Sequence, residues 1–239
     1  TLRESPEPVV IQIVGSCRDV ALAANCEPAL FREKCRAIYL DAGSGARTPP
    51  PDGELEYNVN VNAPAYAAIF DIDCPIYWMP CFGQEASVRL VREYGTWYEF
   101  QQKTIFESLP PMLQNYFAFA LGRFETSHWL NALRGSDMAE IVRVKGEDMR
   151  DMWSTLGIFH IAGMGITPDG RAVPLAEAGD ESLVTFDPIA VTCDDRGVTT
   201  WQDEPSATKR FLFHIRHLDS YQSAMTQAMK TLLAGKVAG

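Results

Sequence analysis

Positive charge is scarce in this chain: 21 lysines and arginines stand against 31 aspartates and glutamates, a formal net charge of −10 over 239 residues. No basic block is present to neutralise phosphates, which argues against nucleic acid as a main partner. Long apolar runs are missing too. Nothing approaches the roughly 20 consecutive apolar residues that span a bilayer, so no membrane partner is expected. The six cysteines (Cys17, Cys26, Cys35, Cys74, Cys81, Cys193) include no pair at the two-residue spacing of zinc or redox motifs. They read as small buried apolar groups, with room for one or two bridges in an exported protein. Histidine is rare, and His128, His160, His214 and His217 offer no metal spacing beyond the last two. On a strand those two would face opposite sides. No internal repeat, low-complexity segment or linker divides the chain, which reads as one domain over 1–239.

What is present is an ordinary globular composition, 46% hydrophobic and 22% charged. Residues 9–14 form a β-branched run expected to be a strand buried on both faces. Gly15-Ser16 ends it, with Ser16 as a helix cap. A short helix over 29–34, a strand over 37–40 and a Gly/Pro-rich loop follow. After a helix over 64–70, a third strand is expected over 75–79. Strands separated by helices predict an α/β fold with a mainly parallel sheet. In such sheets ligands sit outside the carboxyl ends of the strands, here at Val14-Gly15, Asp41 and the loop after Met79. Residues 87–158 read as a helical, aromatic insertion containing Trp97-Tyr98-Glu99-Phe100 and residues 114–121, used for packing or an oligomer contact. A homo-oligomer is expected. Ile158-Phe159-His160 reads as a buried strand and His160 as a structural histidine. Residues 183–236 supply an antiparallel ribbon turning at Gly197, a further strand over 211–217, and a closing helix with Tyr221, Met225, Ala228 and Leu232 on one face. Trp78 and Phe82 are aromatic candidates for stacking on a ligand.

The stretch Glu56-Tyr57-Asn58-Val59-Asn60-Val61-Asn62 stands apart. Extended, it would set one carboxylate and three amides on one face and Tyr57, Val59 and Val61 on the other. That polar face is either solvated or meets a hydroxyl-rich ligand. Ser16 lacks the surroundings of a hydrolase nucleophile. Gly43-Ser44-Gly45 is too short for a phosphate loop, and Asp194-Asp195 fits a turn.

The run Ile11–Ala23, the strand and turn Arg36–Gly43, and Glu56-Tyr57-Asn58 together resemble the inosine-uridine-type nucleoside hydrolases over residues 9–82. The resemblance continues faintly to Phe186-Asp187-Pro188. It implies a Rossmann-like core and one calcium ion gripping the hydroxyls of a ribose. By this resemblance Glu56 and Asn58 bind sugar hydroxyls, as does Asp41, which replaces an apolar residue. The backbone carbonyl of Val14 and the carboxylate of Asp187 would bind calcium. The family's Asp-rich run, which supplies the general base and most calcium ligands, is absent, and Phe186 stands where a histidine is usual. No catalytic residue is therefore assigned within this chain. Because it begins at Thr1 rather than methionine, an upstream segment or second chain is expected to complete the domain. Two functional readings follow. One is calcium-dependent hydrolysis of the N-glycosidic bond of a ribonucleoside or related ribosyl compound. The other is a catalytically inactive relative that binds a sugar or nucleoside, or serves as an assembly subunit. An unrelated flavodoxin-like sheet is a third possibility.

Overall fold

The computed structural model describes residues 2–48, 54–84, 88–122 and 146–235. Two β-α units open it. Strand β1 (Val9–Ile13) leads through helices α1 (Arg18–Cys26) and α2 (Pro28–Lys34) to β2 (Cys35–Leu40). Helices α3 (Tyr57–Val61) and α4 (Ala63–Ile69) then lead to β3 (Ile76–Trp78). These three strands pair in parallel, as expected for helical crossovers. β1 lies at the sheet edge, and of its residues only Ile13 is fully buried, so the expected burial on both faces is not met there. Ser16 accepts the Arg18 N–H at 3.3 Å, although Cys17 occupies the cap position of α1.

The insertion differs from its expected helical character. Trp97–Phe100 does not form a helix: β4 (Tyr98–Gln101) pairs antiparallel with β5 (Met149–Met152), burying Tyr98 and Phe100 and leaving Glu99 and Gln101 half-exposed. That period of two is a strand's, concealed among aromatic residues. Helices α5 (Lys103–Phe106) and α6 (Pro111–Gly122) follow β4, the latter as expected. Residues 123–145, with His128, lie outside the described residues. Ile158-Phe159-His160 belongs to helix α7 (Thr155–Ile161) rather than to a strand, because Leu156 and Phe159 bury one helical face. A small hairpin, β6 (Met164–Ile166) with β7 (Ala172–Pro174), and the one-turn helix α8 (Leu175–Ala178) lead to the C-terminal part.

There β8 (Val184–Cys193) and β9 (Thr199–Asp203) form the expected ribbon, with Gly197 at φ +83° in its turn. Strand β10 (Arg210–Ile215) fuses the ribbon to the parallel sheet. It runs antiparallel to β8 and parallel to β3, giving a six-stranded sheet in the order β1-β2-β3-β10-β8-β9. The Arg210 guanidinium fixes this position by donating to the carbonyls of Phe70, Ile72 and Cys74. Ile38, Leu40, Ile76, Trp78 and Leu212 project from one sheet face against Ala21, Tyr66 and Ile69 of α1 and α4. Tyr39, Phe213 and Ile215 project from the other against Tyr221, Met225 and Ala228 of the closing helix α9 (Leu218–Leu233). Each fully buried large apolar side chain here contributes about 1.5–3 kcal/mol. No described helix is long and apolar enough to cross a membrane.

Candidate functional site

The carboxyl ends of β1, β2 and β3 converge, as the parallel order requires. Beyond the strands the pairing continues: Asp41 N–H donates to Ile13 O at 2.9 Å, Met79 N–H to Leu40 O at 2.8 Å, and Cys81 N–H to Gly43 O at 2.9 Å. Above these ends lies a cavity of about 600 Å³, lined by Val14, Glu56, Tyr57, Asn58, Asn60, Cys81, Phe82, Arg89, Trp153 and Ser154 among others.

Glu56 and Asn58 reach this cavity by a different local structure from the extended one their alternation suggests. Residues 57–61 are helical, and Glu56 is the N-cap of α3, its Oε1 accepting the Asn58 N–H at 3.0 Å. Asn62 caps α4 in the same way through the Ala65 N–H. Two capping side chains so close together outweigh the strand pattern, since each satisfies helix N–H groups that would otherwise be unpaired. Tyr57 and Val61 are exposed and Val59 is buried, so the three share no inner face. Glu56 is nonetheless buried, with Oε2 accepting the Gly43 N–H at 2.9 Å. Both oxygens are thus held in place by backbone donors, and each keeps acceptor capacity for a further hydroxyl. Asn58 Nδ2 donates to the Asp41 carbonyl at 3.4 Å and to Cys81 Sγ at 3.8 Å, which leaves Oδ1 as its acceptor toward the cavity.

Asp41 sits directly beneath. It is buried, the Cys81 thiol approaches its Oδ1 at 3.9 Å, and the Ser154 and Thr96 side chains lie close enough to act on the carboxyl. Burial, reinforced by the Glu56 carboxylate, pushes its pKa up to about 7, against the opposing pull of neighbouring Ser154, Cys81 and Thr96. Burial raises the Cys81 thiol well above its ordinary value, with Asp41 and Glu56 adding to the effect. Cys81 is therefore a protonated wall of the cavity and not a nucleophile.

Two further lining residues were not legible in the sequence. Trp153 and Ser154 follow β5, and only the pairing of β5 with β4 carries them to the cavity. The ring of Trp153 meets Phe82 edge to face at 6.1 Å, and its indole Nε1 is buried without a partner. Ser154 takes a left-handed backbone, φ +53°, as the sole described non-glycine residue with positive φ. Arg89 also lines the cavity, and pairs with Asp151 at 3.2 Å.

Other candidates lie elsewhere. Asp187 is not among the lining residues: its carboxylate binds His214 Nδ1 at 2.6 Å, Arg216 at 3.0 Å and the Thr185 hydroxyl at 2.7 Å. Burial raises its pKa, but these partners outweigh it and hold the carboxyl below the usual range. His217 is the cap residue of α9. His160 accepts or donates through Nδ1 to Tyr39 OH at 2.6 Å, burial lowers its pKa, and it borders a separate cavity of about 310 Å³. Phe82 faces the main cavity, whereas Trp78 is core, donating to Ala42 O at 2.8 Å. All six cysteines are unbridged.

Calcium requires about six to eight oxygen ligands. The Val14 residue borders the cavity and Asp187 does not, and no group of three His, Cys, Asp or Glu side chains able to hold a metal exists among the described residues. The residues described here do not by themselves fit the ion.

An α/β sheet with a polar cavity at its strand ends defines a small-ligand site of the doubly wound type. The chain matches no family model. It is 36% identical over 76 residues to the pyrimidine-specific ribonucleoside hydrolase RihA of Citrobacter koseri, a match covering 32% of this chain and 24% of that protein. A plant nucleoside hydrolase superposes with a TM-score of 0.50 at 15% identity, covering 98% of this chain and 64% of the other. The purine-preferring ribonucleoside hydrolase of Gardnerella vaginalis gives 0.47 at 13% identity, covering 99% and 64%. The chain thus spans less than two thirds of the length of these relatives. It resembles the nucleoside hydrolase family in sequence and has the nucleoside hydrolase-like α/β fold.

Proposed function

We propose that the protein binds a ribonucleoside or related ribosyl compound in the cavity beneath Glu56 and Asn58, and that it is an N-ribosyl hydrolase. The observation that carries this reading is the paired placement of these two side chains, each anchored by the backbone and each left with hydrogen-bonding capacity toward the cavity. The Glu56 carboxylate and Asn58 Oδ1 accept from sugar hydroxyls, which suits a vicinal diol. Fixed in advance, the pair orients the sugar without reorganisation. Asp41 supports the same wall from below. The general base and the calcium ligands are assigned to an upstream segment or second chain, and calcium dependence is proposed only for the protein so completed.

A second reading is a relative that binds its ligand without turnover. It is favoured by the lack of any acidic metal-binding cluster among the described residues. Inosine and uridine, incubated with the protein and followed by base release and by calorimetric binding, separate the two. Base release supports the hydrolase, and saturable binding without release, once the upstream segment or second chain and calcium are supplied, supports the binder. Neither release nor binding overturns both.

A further inference from the structure

A second cavity, of about 310 Å³, is lined by Tyr77, His160, Phe186, Phe211 and residues of the segment 175–185. The strand register sets an aromatic strip along it: Tyr39 of β2, Tyr77 of β3 and Phe211 of β10 are partners on adjacent strands. Their rings stack at 4.7 and 4.9 Å, with 12° and 16° between planes. Phe186 of β8 meets Tyr77 edge to face at 5.1 Å, and the His160 ring tilts against both at 5.2 and 4.6 Å. β3, β10 and β8 are inner strands, where large aromatic residues are normally covered. Tyr77, Phe186 and Phe211 are nonetheless only half-buried.

The polar groups of this cavity are few and oriented. His160 Nδ1 and the Tyr39 hydroxyl lie 2.6 Å apart. Burial raises the pKa of the phenol and lowers that of the imidazole, so at neutral pH one keeps its proton and the other is uncharged. The phenol, as the better acid, donates to Nδ1, which puts the imidazole proton on Nε2. Neither Nε2 nor the Tyr77 hydroxyl has a hydrogen-bond partner among the described residues, and neither is one of their buried unpartnered atoms, so both are accessible. The other hydroxyls are engaged. Ser182 donates to Val184 O at 2.7 Å, and Thr185 donates to Asp187 Oδ1 at 2.7 Å while accepting from Arg216 at 2.9 Å. No Asp, Glu, Lys or Arg lines the cavity.

We propose that this cavity binds a neutral, planar heteroaromatic molecule of one or two fused rings, packed against Tyr77, Phe186 and Phe211, with a ring nitrogen accepting from His160 Nε2. The aromatic side chains supply contact area for a flat ring, and the free N–H calls for an acceptor. The absence of charged lining residues excludes phosphates and carboxylates, whose desolvation would go uncompensated. The volume lies at the lower end of the roughly 300–1,000 Å³ of ligand pockets, which limits the ligand to a small ring system. The cavity shares no lining residue with the ribosyl site and stands independently of that reading.

Nicotinamide and benzamide are suitable probes, since they differ only in the ring nitrogen. Histidine side-chain ¹⁵N resonances of the full chain report the contact, with His160 assigned by its loss in His160→Phe or His160→Gln. The free protein should show the Nε2–H tautomer, and nicotinamide should shift the His160 Nε2 resonance saturably. Benzamide should bind wild type about tenfold more weakly, and His160→Phe should bind the two probes alike. The comparison of probes on wild type holds even where a variant fails to fold. A His160 signal that nicotinamide leaves in place, an Nδ1–H tautomer, or equal affinity of wild type for the two probes would overturn the proposal.

Discussion

Asp41→Asn should make the protein more stable at alkaline pH while leaving it no more stable in acid. The folded chain raises this carboxyl from an ordinary value of 3.8 to about 7, chiefly through burial. Below 3.8 both the folded and the unfolded chain carry the proton, and the group costs nothing. Between 3.8 and 7 the unfolded chain releases the proton and the folded chain keeps it, so stability falls as pH rises, and above 7 the loss is complete. About three pH units at ~1.36 kcal/mol each give about 4 kcal/mol. Asparagine has no charge to bury, but sets an amide group among the Ser154, Cys81 and Thr96 side chains that act on the carboxyl, an offset of about 1–3 kcal/mol. The net expectation is a gain of about 1–3 kcal/mol at pH 8 and a small loss at pH 4.5. Urea unfolding of both proteins at the two pH values measures this directly, provided the m-values agree. A difference between wild type and variant that is the same at both pH values would refute a buried, proton-holding Asp41.

Gly197→Ala should lower the thermal midpoint by about 5 °C, because its φ of +83° strains alanine and the new methyl would lie 2.6 Å from Val59 Cγ1. Since Val59 belongs to the helix that Glu56 caps, ligand affinity should fall with it, and calorimetry reports that part. Asp187→Ala should cost about 1–3 kcal/mol by leaving His214 and Arg216 without their carboxylate, yet leave ribosyl affinity unchanged. A fall in affinity would instead mark Asp187 as part of the ligand site. Removing divalent ions with a chelator should leave inosine binding by this chain unaltered, as monitored by calorimetry. A large loss would show that the described residues complete a metal site after all.

The parallel sheet was legible because β-branched runs alternating with capped helical segments have few other solutions, and Ile38 and Trp78 lie in strands where that pattern puts them. The ligand role expected of Glu56 and Asn58 drew on the family resemblance, and both line the cavity even though their backbone is helical rather than extended. Alternating polarity over seven residues cannot distinguish a strand from two short capped helices, because the deciding interactions, Gly43 N–H to Glu56 and Ala65 N–H to Asn62, involve the fold. Trp153 and Ser154 were invisible for a stronger reason. Their position depends on the β4–β5 pairing between segments about fifty residues apart, and Trp97–Phe100 reads as helix until that partner is known. The late Phe186-Asp187-Pro188 match shows the converse. A short motif placed Asp187 near a metal, while the fold surrounds it with His214, Arg216 and Thr185.

The most direct measurement is calorimetric titration of wild type and Glu56→Gln with inosine and uridine. Glutamine keeps an oxygen to cap its helix but loses the charged acceptor that faces the cavity. Saturable binding to wild type, weakened about 10- to 100-fold in a variant that still unfolds in one cooperative transition, its midpoint lowered because the new amide group faces the Gly43 N–H, is the expected result. Equal binding by the two proteins, or none by wild type, would contradict a ribosyl site at Glu56.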